Sequence, residues 1–158
     1  MQRHVLSVLV ENEPGVLSRV AGLFSGRGFN IHSLNVAPAL EEGVSHMTIT
    51  TDGDSLILEQ IMKQLSKLEE VICVDHLQEE DSCCSELVFV KLKAEAGDVR
   101  DAIRQLCELY GAAIIESTER ALIVELSEVP SRIDAFLDVI SNFEVLEMSR
   151  SGVTAIEK

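Results

Sequence analysis

The sequence has no tryptophan and a single tyrosine, and aromatic residues make up only 4% of its 158 positions. Large rings therefore cannot build the core, which must be filled by Val, Ile, Leu and Ala. At 46% hydrophobic residues there are enough of these to place the chain outside the disordered class. Positive charge is also scarce, with 13 Lys and Arg against 27 Asp and Glu and a formal net charge of −14. An acidic surface repels phosphate and no Lys/Arg-rich run offsets it, so nucleic acid is not an expected partner. No apolar run approaches the roughly 20 residues that span a bilayer. Met1 to Val10 reads as a strand rather than a targeting segment, so the chain is expected to be cytoplasmic and without a membrane partner.

Motifs of catalysis are missing as well. There is no G-x-S-x-G, H-E-x-x-H, P-loop or G-x-G-x-x-G. His4, His32, His46 and His76 fall on or beside strands, isolated from one another in sequence. The four cysteines form no C-x-x-C pair and have no His at metal-ligand spacing. Cys73 and Cys107 lie in apolar periodic segments and are expected as small core residues, while Cys83-Cys84 lies in a polar stretch. The chain is therefore expected to be no enzyme on its own, with no catalytic residue and no metal site.

What is present is one pattern written twice. In the first half, His4 to Val10 alternates as a strand. Val16, Leu17, Val20, Leu23 and Phe24 then mark one face of a helix that ends at Gly26 and Gly28. Ile31 to Ala39 and His46 to Thr51 read as strands around a Glu41-Glu42-Gly43 turn. Asp54 or Ser55 caps a helix with the stripe Leu58, Ile61, Leu65 and Leu68, and Val71 to Leu77 is the last strand. The polar segment Q-E-E-D-S-C-C-S at 78–85 reads as a linker.

The second half repeats the order. Glu86 to Ala94 is a strand, followed by a helix carrying Val99, Ile103 and Leu106 that stops at Gly111. Strands Ala112 to Ser117 and Ala121 to Leu126 come next. A helix starting at Pro130 carries Ile133, Phe136, Leu137 and Ile140, and Phe143 to Met148 is the final strand. The expected fold is α+β, two ferredoxin-like βαββαβ domains in tandem over 1–77 and 86–158. Each would lay two helices on one face of a four-stranded sheet. The other face needs a cover, and domains of this size have marginal cores, so open faces or edges are expected to meet a second copy. The second strand of each repeat is an edge, and Ile31 to Ala39 has few charges to block strand pairing.

The first strand-to-helix junction carries the most information. Asn12 leaves the strand, Pro14 fixes the backbone, Gly15 permits close approach, and Val16 and Leu17 open the helix. Unpaired N–H groups and the helix dipole at such a start favour a carboxylate. The Asn12 amide can meet an ammonium or a carboxylate. This composition is that of a free-amino-acid site, and equally that of an ordinary helix start with Asn12 as its cap. The matching junction of the second half, Ala94-Glu95-Ala96-Gly97-Asp98, has no Pro or Asn and carries two carboxylates.

The stretches L-S-V-L-V-E-N-E-P-G-V-L-S-R-V at 6–20 and L-F-S-G-R-G-F-N-I-H-S-L at 23–34 resemble the small regulatory subunits of acetohydroxyacid synthase, also called acetolactate synthase. M-T-I-T at 47–50, Q-I-M-K-Q-L-S-K-L at 60–68 and R-S-G at 150–152 support the likeness. The resemblance implies that residues 1–77 form an ACT domain, an amino-acid-binding and dimerising module. It implies as partner a large catalytic subunit carrying thiamine diphosphate, Mg and FAD, none of them bound by this chain. It also implies activation of that subunit and feedback inhibition by valine or a related branched-chain amino acid. The implied effector site lies at a homodimer interface, with Asn12, Pro14, Gly15, Val16 and Leu17 on one side and Asn30 and Ile31 from the partner chain. The alternative is a free-standing tandem ACT sensor acting on another enzyme or a transcription factor.

Overall fold

The computed structural model describes residues 2–158. Its first sheet has β1 (Gln2–Glu11), β2 (Ile31–Pro38), β3 (Val44–Gly53) and β4 (Val71–Leu77) in the order β2-β3-β1-β4. All the described pairings are antiparallel. The alternation of β1 decides the layout. Leu6, Val8 and Val10 are buried with Met47 and Ile49 of β3, and two helices cover that face. Helix α1 (Val16–Gly26) contributes Val16, Val20 and Phe24, and α2 (Ser55–Leu65) contributes Leu58, Ile61 and Leu65. Of the two expected caps for α2 it is Asp54 that serves, its carboxylate accepting from the Ile57 N–H at 2.9 Å. Leu68 lies beyond the helix end but still packs on the core.

The second sheet has the order β6-β7-β5-β8, from β5 (Ser82–Lys93), β6 (Ala113–Ser117), β7 (Ala121–Glu128) and β8 (Val145–Glu157). Val88, Val90 and Leu92 face Leu122, Val124 and Leu126, under α3 (Gly97–Tyr110) and α4 (Pro130–Ile140). Pro130 sits in the first turn of α4, where its missing N–H costs nothing, and Gly111 ends α3 in the left-handed region. Two ferredoxin-like βαββαβ units are thus present, as the patterning implies.

The elements depart from expectation at the ends of β5 and β8. Strand β5 begins at Ser82, inside the stretch read as linker. Ser82 misled because it is a polar residue buried with a partner: its Oγ donates to the Gln78 carbonyl at 2.6 Å. Strand β8 runs nine residues past Met148, and the compact units follow it. One comprises Met1–Cys84 together with Val153–Lys158, the other Ser85–Gly152.

Those last residues bear on the expectation that a second copy covers the open sheet face. Val153 and Ala155 are buried against Leu77, with Val5 and Cys84 alongside. Part of the face opposite α1 and α2 is therefore covered by the chain itself. Cys107 is a core residue as expected, but Cys73 is only half-buried. It lies opposite Leu9 on the face away from the helices, and its thiol donates to Asp75 at 3.1 Å. That hydrogen bond from the neutral thiol, with some burial, raises its pKa.

Candidate functional site

The strand β1 ends at Glu11, whose N–H donates to the Glu70 carbonyl, and the Asn12 N–H donates to the Gly43 carbonyl at 2.8 Å. These two bonds fix the exit of the chain. Pro14 is exposed, and Gly15 then takes φ +87°, the left-handed conformation that a side chain resists. Gly15 is the N-cap of α1, and no side chain caps that helix. Asn12, exposed, is therefore not the cap. A β-carbon built on Gly15 would meet nothing within 4 Å, so the ground before the first turn is open. The first-turn N–H groups point into that space with the positive end of the helix dipole. Leu17 is 46% exposed and borders it, whereas Val16 is 4% exposed and belongs to the core. The Val16 N–H is itself engaged, donating to the Glu13 carbonyl at 3.4 Å.

Asn30 and Ile31 lie at the opposite end of the sheet. Ile31 pairs with Thr51 and packs on the core, and the Asn30 carbonyl accepts from Thr51 Oγ1 at 2.7 Å. Glu11, by contrast, pairs with Val44. Val44 to Thr51 is seven strand steps of ~3.4 Å, about 24 Å in all. Asn30 borders an open bay of about 560 Å³ with Gly28, Phe29, Asp52 and Ile57 on its wall. Beside it His32 contacts Asp52, and this hydrogen bond is the main cause that lowers the Asp52 pKa. One chain thus holds two groups of the expected site residues but does not bring them together.

The equivalent junction in the second unit is braced by a side chain. Arg100, in the first turn of α3, donates to the Ala94 carbonyl at 2.6 Å, the Thr118 carbonyl at 2.8 Å and Ser117 Oγ at 2.6 Å. The guanidinium ties the strand end, the helix start and the β6–β7 turn together. In the first unit Arg19, at the matching position of α1, pairs instead with Glu70, and neither helix start has a side-chain cap.

Sequence reading missed three other constellations. Arg150 of the R-S-G stretch forms a fork with the buried Glu86, at 2.8 and 2.7 Å, and reaches Asp134 at 3.0 Å. The Glu86 hydrogen bonds raise the Arg150 pKa and hold it charged. Arg100 is the second. The third is a histidine pair: the buried His4 contacts the Gly53 carbonyl at 3.1 Å and His76 at 3.3 Å, and Gln78 contacts the far side of His76 at 2.9 Å. A carbonyl only accepts, so His4 Nε2 carries a proton and Nδ1 accepts from His76. Burial, then the neighbouring His4, lowers the His76 pKa. No local motif announces any of these, since each joins residues distant in sequence, up to 72 positions apart for His4 and His76.

Among the described residues, no group of three or more His, Cys, Asp or Glu side chains is arranged to hold a metal, and no helix is long and apolar enough to cross a membrane. Comparison with known proteins resolves the family. Residues 6–73 match the model of the AHAS small subunit-like ACT domain, and residues 85–158 match that of the small subunit of acetolactate synthase. The chain is 43% identical over 157 residues to the acetolactate synthase isozyme 3 small subunit of Escherichia coli, covering 99% of this chain and 96% of that one. It is 42% identical over 155 residues to the probable acetolactate synthase small subunit of Methanothermobacter thermautotrophicus, covering 98% and 92%. The crystal structure of the acetolactate synthase small subunit from Thermotoga maritima superposes with a TM-score of 0.91 at 33% identity, covering 100% of this chain and 98% of that one. With both units matched and the full length aligned, the chain belongs to the acetolactate synthase small subunits, a family of regulatory ACT-domain proteins.

Proposed function

We propose that this chain activates the large catalytic subunit of acetolactate synthase and makes it sensitive to feedback inhibition by valine, with Asn12, Pro14, Gly15, Val16 and Leu17 of one copy and Asn30 and Ile31 of a second forming the effector site. The observation that carries this reading is the placement of the two groups at opposite ends of one sheet. Strand β2 is at the sheet edge and pairs on one side only, with β3. Both β1 and β2 run antiparallel to β3, so they are parallel, and Pro38 lies at the same sheet end as Val10, both opposite Ser45. Antiparallel pairing of two β2 edges about a two-fold axis sets the Ile31 end of one strand against the Pro38 end of the other. The partner's Asn30 then arrives at the end that holds Asn12 and Gly15. A dimer completes two such sites, and a monomer none.

The chemistry suits a small amino acid. The open first turn of α1 accepts a carboxylate, the amides of Asn12 and of the partner's Asn30 orient the ammonium, and Leu17 with the partner's Ile31 contacts an aliphatic side chain. Valine has about eight non-hydrogen atoms, and at about half the best efficiency known for very small ligands it binds with about −6 kcal/mol. That corresponds to tens of micromolar, roughly the range of a metabolite sensor. Thiamine diphosphate, Mg and FAD belong, on this reading, to the catalytic partner. The test is acetolactate formation by that subunit, titrated with this chain with and without valine. Activation reversed by valine supports the reading. Activation that valine leaves intact removes the effector half of it, and no activation removes the partner.

A further inference from the structure

We propose that residues 153–157 of β8 hold β2 in place and carry the state of the effector half-site to the second unit. The inference rests on reading Asn30 and Ile31 as that half-site. It starts from the face of the first sheet that points away from the helices. There Ser33, Thr48 and Thr50 form a patch of hydroxyls, with Ser33 Oγ 2.6 Å from Thr50 Oγ1. The end of β8 lies on them. The Val153 N–H donates to Ser33 Oγ at 3.4 Å, and the Ala155 N–H donates to Thr48 Oγ1 at 3.3 Å. Thr48 is 1% exposed and Ala155 2%, so their contact is shielded from water, while Val153 to Ser33 is partly so. A buried N–H without a partner is costly, which makes the hydroxyls a condition for seating this segment. Its far end is held by the Lys158 N–H donating to the Asp81 carbonyl at 2.9 Å.

Ser33 stands at the irregular start of β2. The strand pairs on one side only, and its register slips between Ile31 and Ser33, immediately after Asn30. A displacement of the β2 start therefore moves an acceptor of Val153. Upstream, β8 is gripped by the second unit. Arg150 forks to Glu86 and reaches Asp134, and Ser151 Oγ accepts from the Leu87 N–H at 3.0 Å. Between the two holds lies Gly152 at φ +81°, a conformation open to glycine and resisted by other residues. One strand is thus fastened in both units with a glycine joint between them. Coupling of effector to partner is a free energy that needs a physical element sensitive to both, and β8 meets that requirement.

Removing residues 153–158 outright risks misfolding, so the test uses Ser33→Ala combined with Thr48→Val in the full chain. Two measurements decide it. Hydrogen exchange without ligand should quicken not only at 153–157 but also along β2, by about tenfold. In the complex with the catalytic subunit, activation should stay within about twofold of the parent while the valine needed for half-inhibition rises about tenfold. Exchange that quickens at 153–157 alone, or an inhibition curve that overlays the parent's, overturns the proposal. A parent complex indifferent to every branched-chain amino acid instead overturns the effector reading, and the link to the half-site with it.

Discussion

The two units repeat one topology but build the same junction from different backbone and charge. Where β1 gives way to α1, the backbone turns left-handed at Gly15, no side chain caps the helix and the space ahead of it is open. Where β5 gives way to α3, the N-cap Ala96 is extended, and Arg100 satisfies two carbonyls and a hydroxyl of its own chain. Glu95 and Asp98 flank that junction and Asp98 sits in the first helical turn, complementing the dipole internally. A fold can repeat without repeating its site. The difference lies in whether the first helical turn carries its own carboxylate, as α3 does at Asp98 and α1 does not.

The largest way to break this contrast is Gly15→Asp. The aspartate has room but not the right backbone, at a cost of about 1–2 kcal/mol. Its carboxylate also occupies the place proposed for the ligand's. Valine affinity should fall about 100-fold, about 2.7 kcal/mol, in a calorimetric titration of the folded variant. A normal titration curve would show that the effector binds elsewhere. Asn12→Ala keeps the backbone and removes only the amide, so a smaller loss of about tenfold is expected in the same experiment. Its stability should hardly change, because Asn12 does not cap α1.

Arg100→Ala probes the contrast from the other side. Three hydrogen bonds disappear from a partly exposed place where water can replace some of them, so denaturant unfolding should show a loss of about 1–2 kcal/mol. Opening that junction should not create a second valine site, because Glu95 and Asp98 remain. An increase in bound valine per chain would mean that Arg100 alone separates the two units.

The smallest expected effect separates the units by pH. All four histidines, His4, His32, His46 and His76, belong to the first unit. The folded pKa of His76 lies below its ordinary 6.5, so the unfolded chain takes up the proton first as pH falls. Its contribution to stability is complete above about pH 6.5 and is lost as pH drops from there toward the depressed value. Hydrogen exchange between pH 7.5 and 5.5 should therefore show β1 and β4 loosening while β5 and β7 stay constant. His76→Gln should flatten that dependence, and an unchanged slope would assign it to another group.

Much of this was legible in the sequence, and the particular failures are instructive. The stripes of Val20 with Phe24 and of Ile133 with Phe136 located helices because a 3.6-residue period is a local property. Pro14-Gly15 marked the open junction because those residue types act on their own backbone. Cys73 was misplaced because an apolar neighbourhood does not say which face of a strand a residue takes. Ser82 read as linker because polarity was taken for exposure, whereas it is buried and bonded to the Gln78 carbonyl.

By itself the sequence determined two βαββαβ repeats, an acidic chain without catalytic or metal motifs, one junction suited to a carboxylate, and a family resemblance over nearly the whole length. These follow from composition and short-range periodicity. Only the tertiary structure decided that Asn12 and Asn30 lie at opposite ends of one sheet, that Arg100 braces the second junction, and that the end of β8 belongs to the first unit. The contacts behind the last of these join residues as far apart as Ser33 and Val153, 120 positions away. Such pairings depend on how layers meet after folding, and no local pattern of residues encodes them.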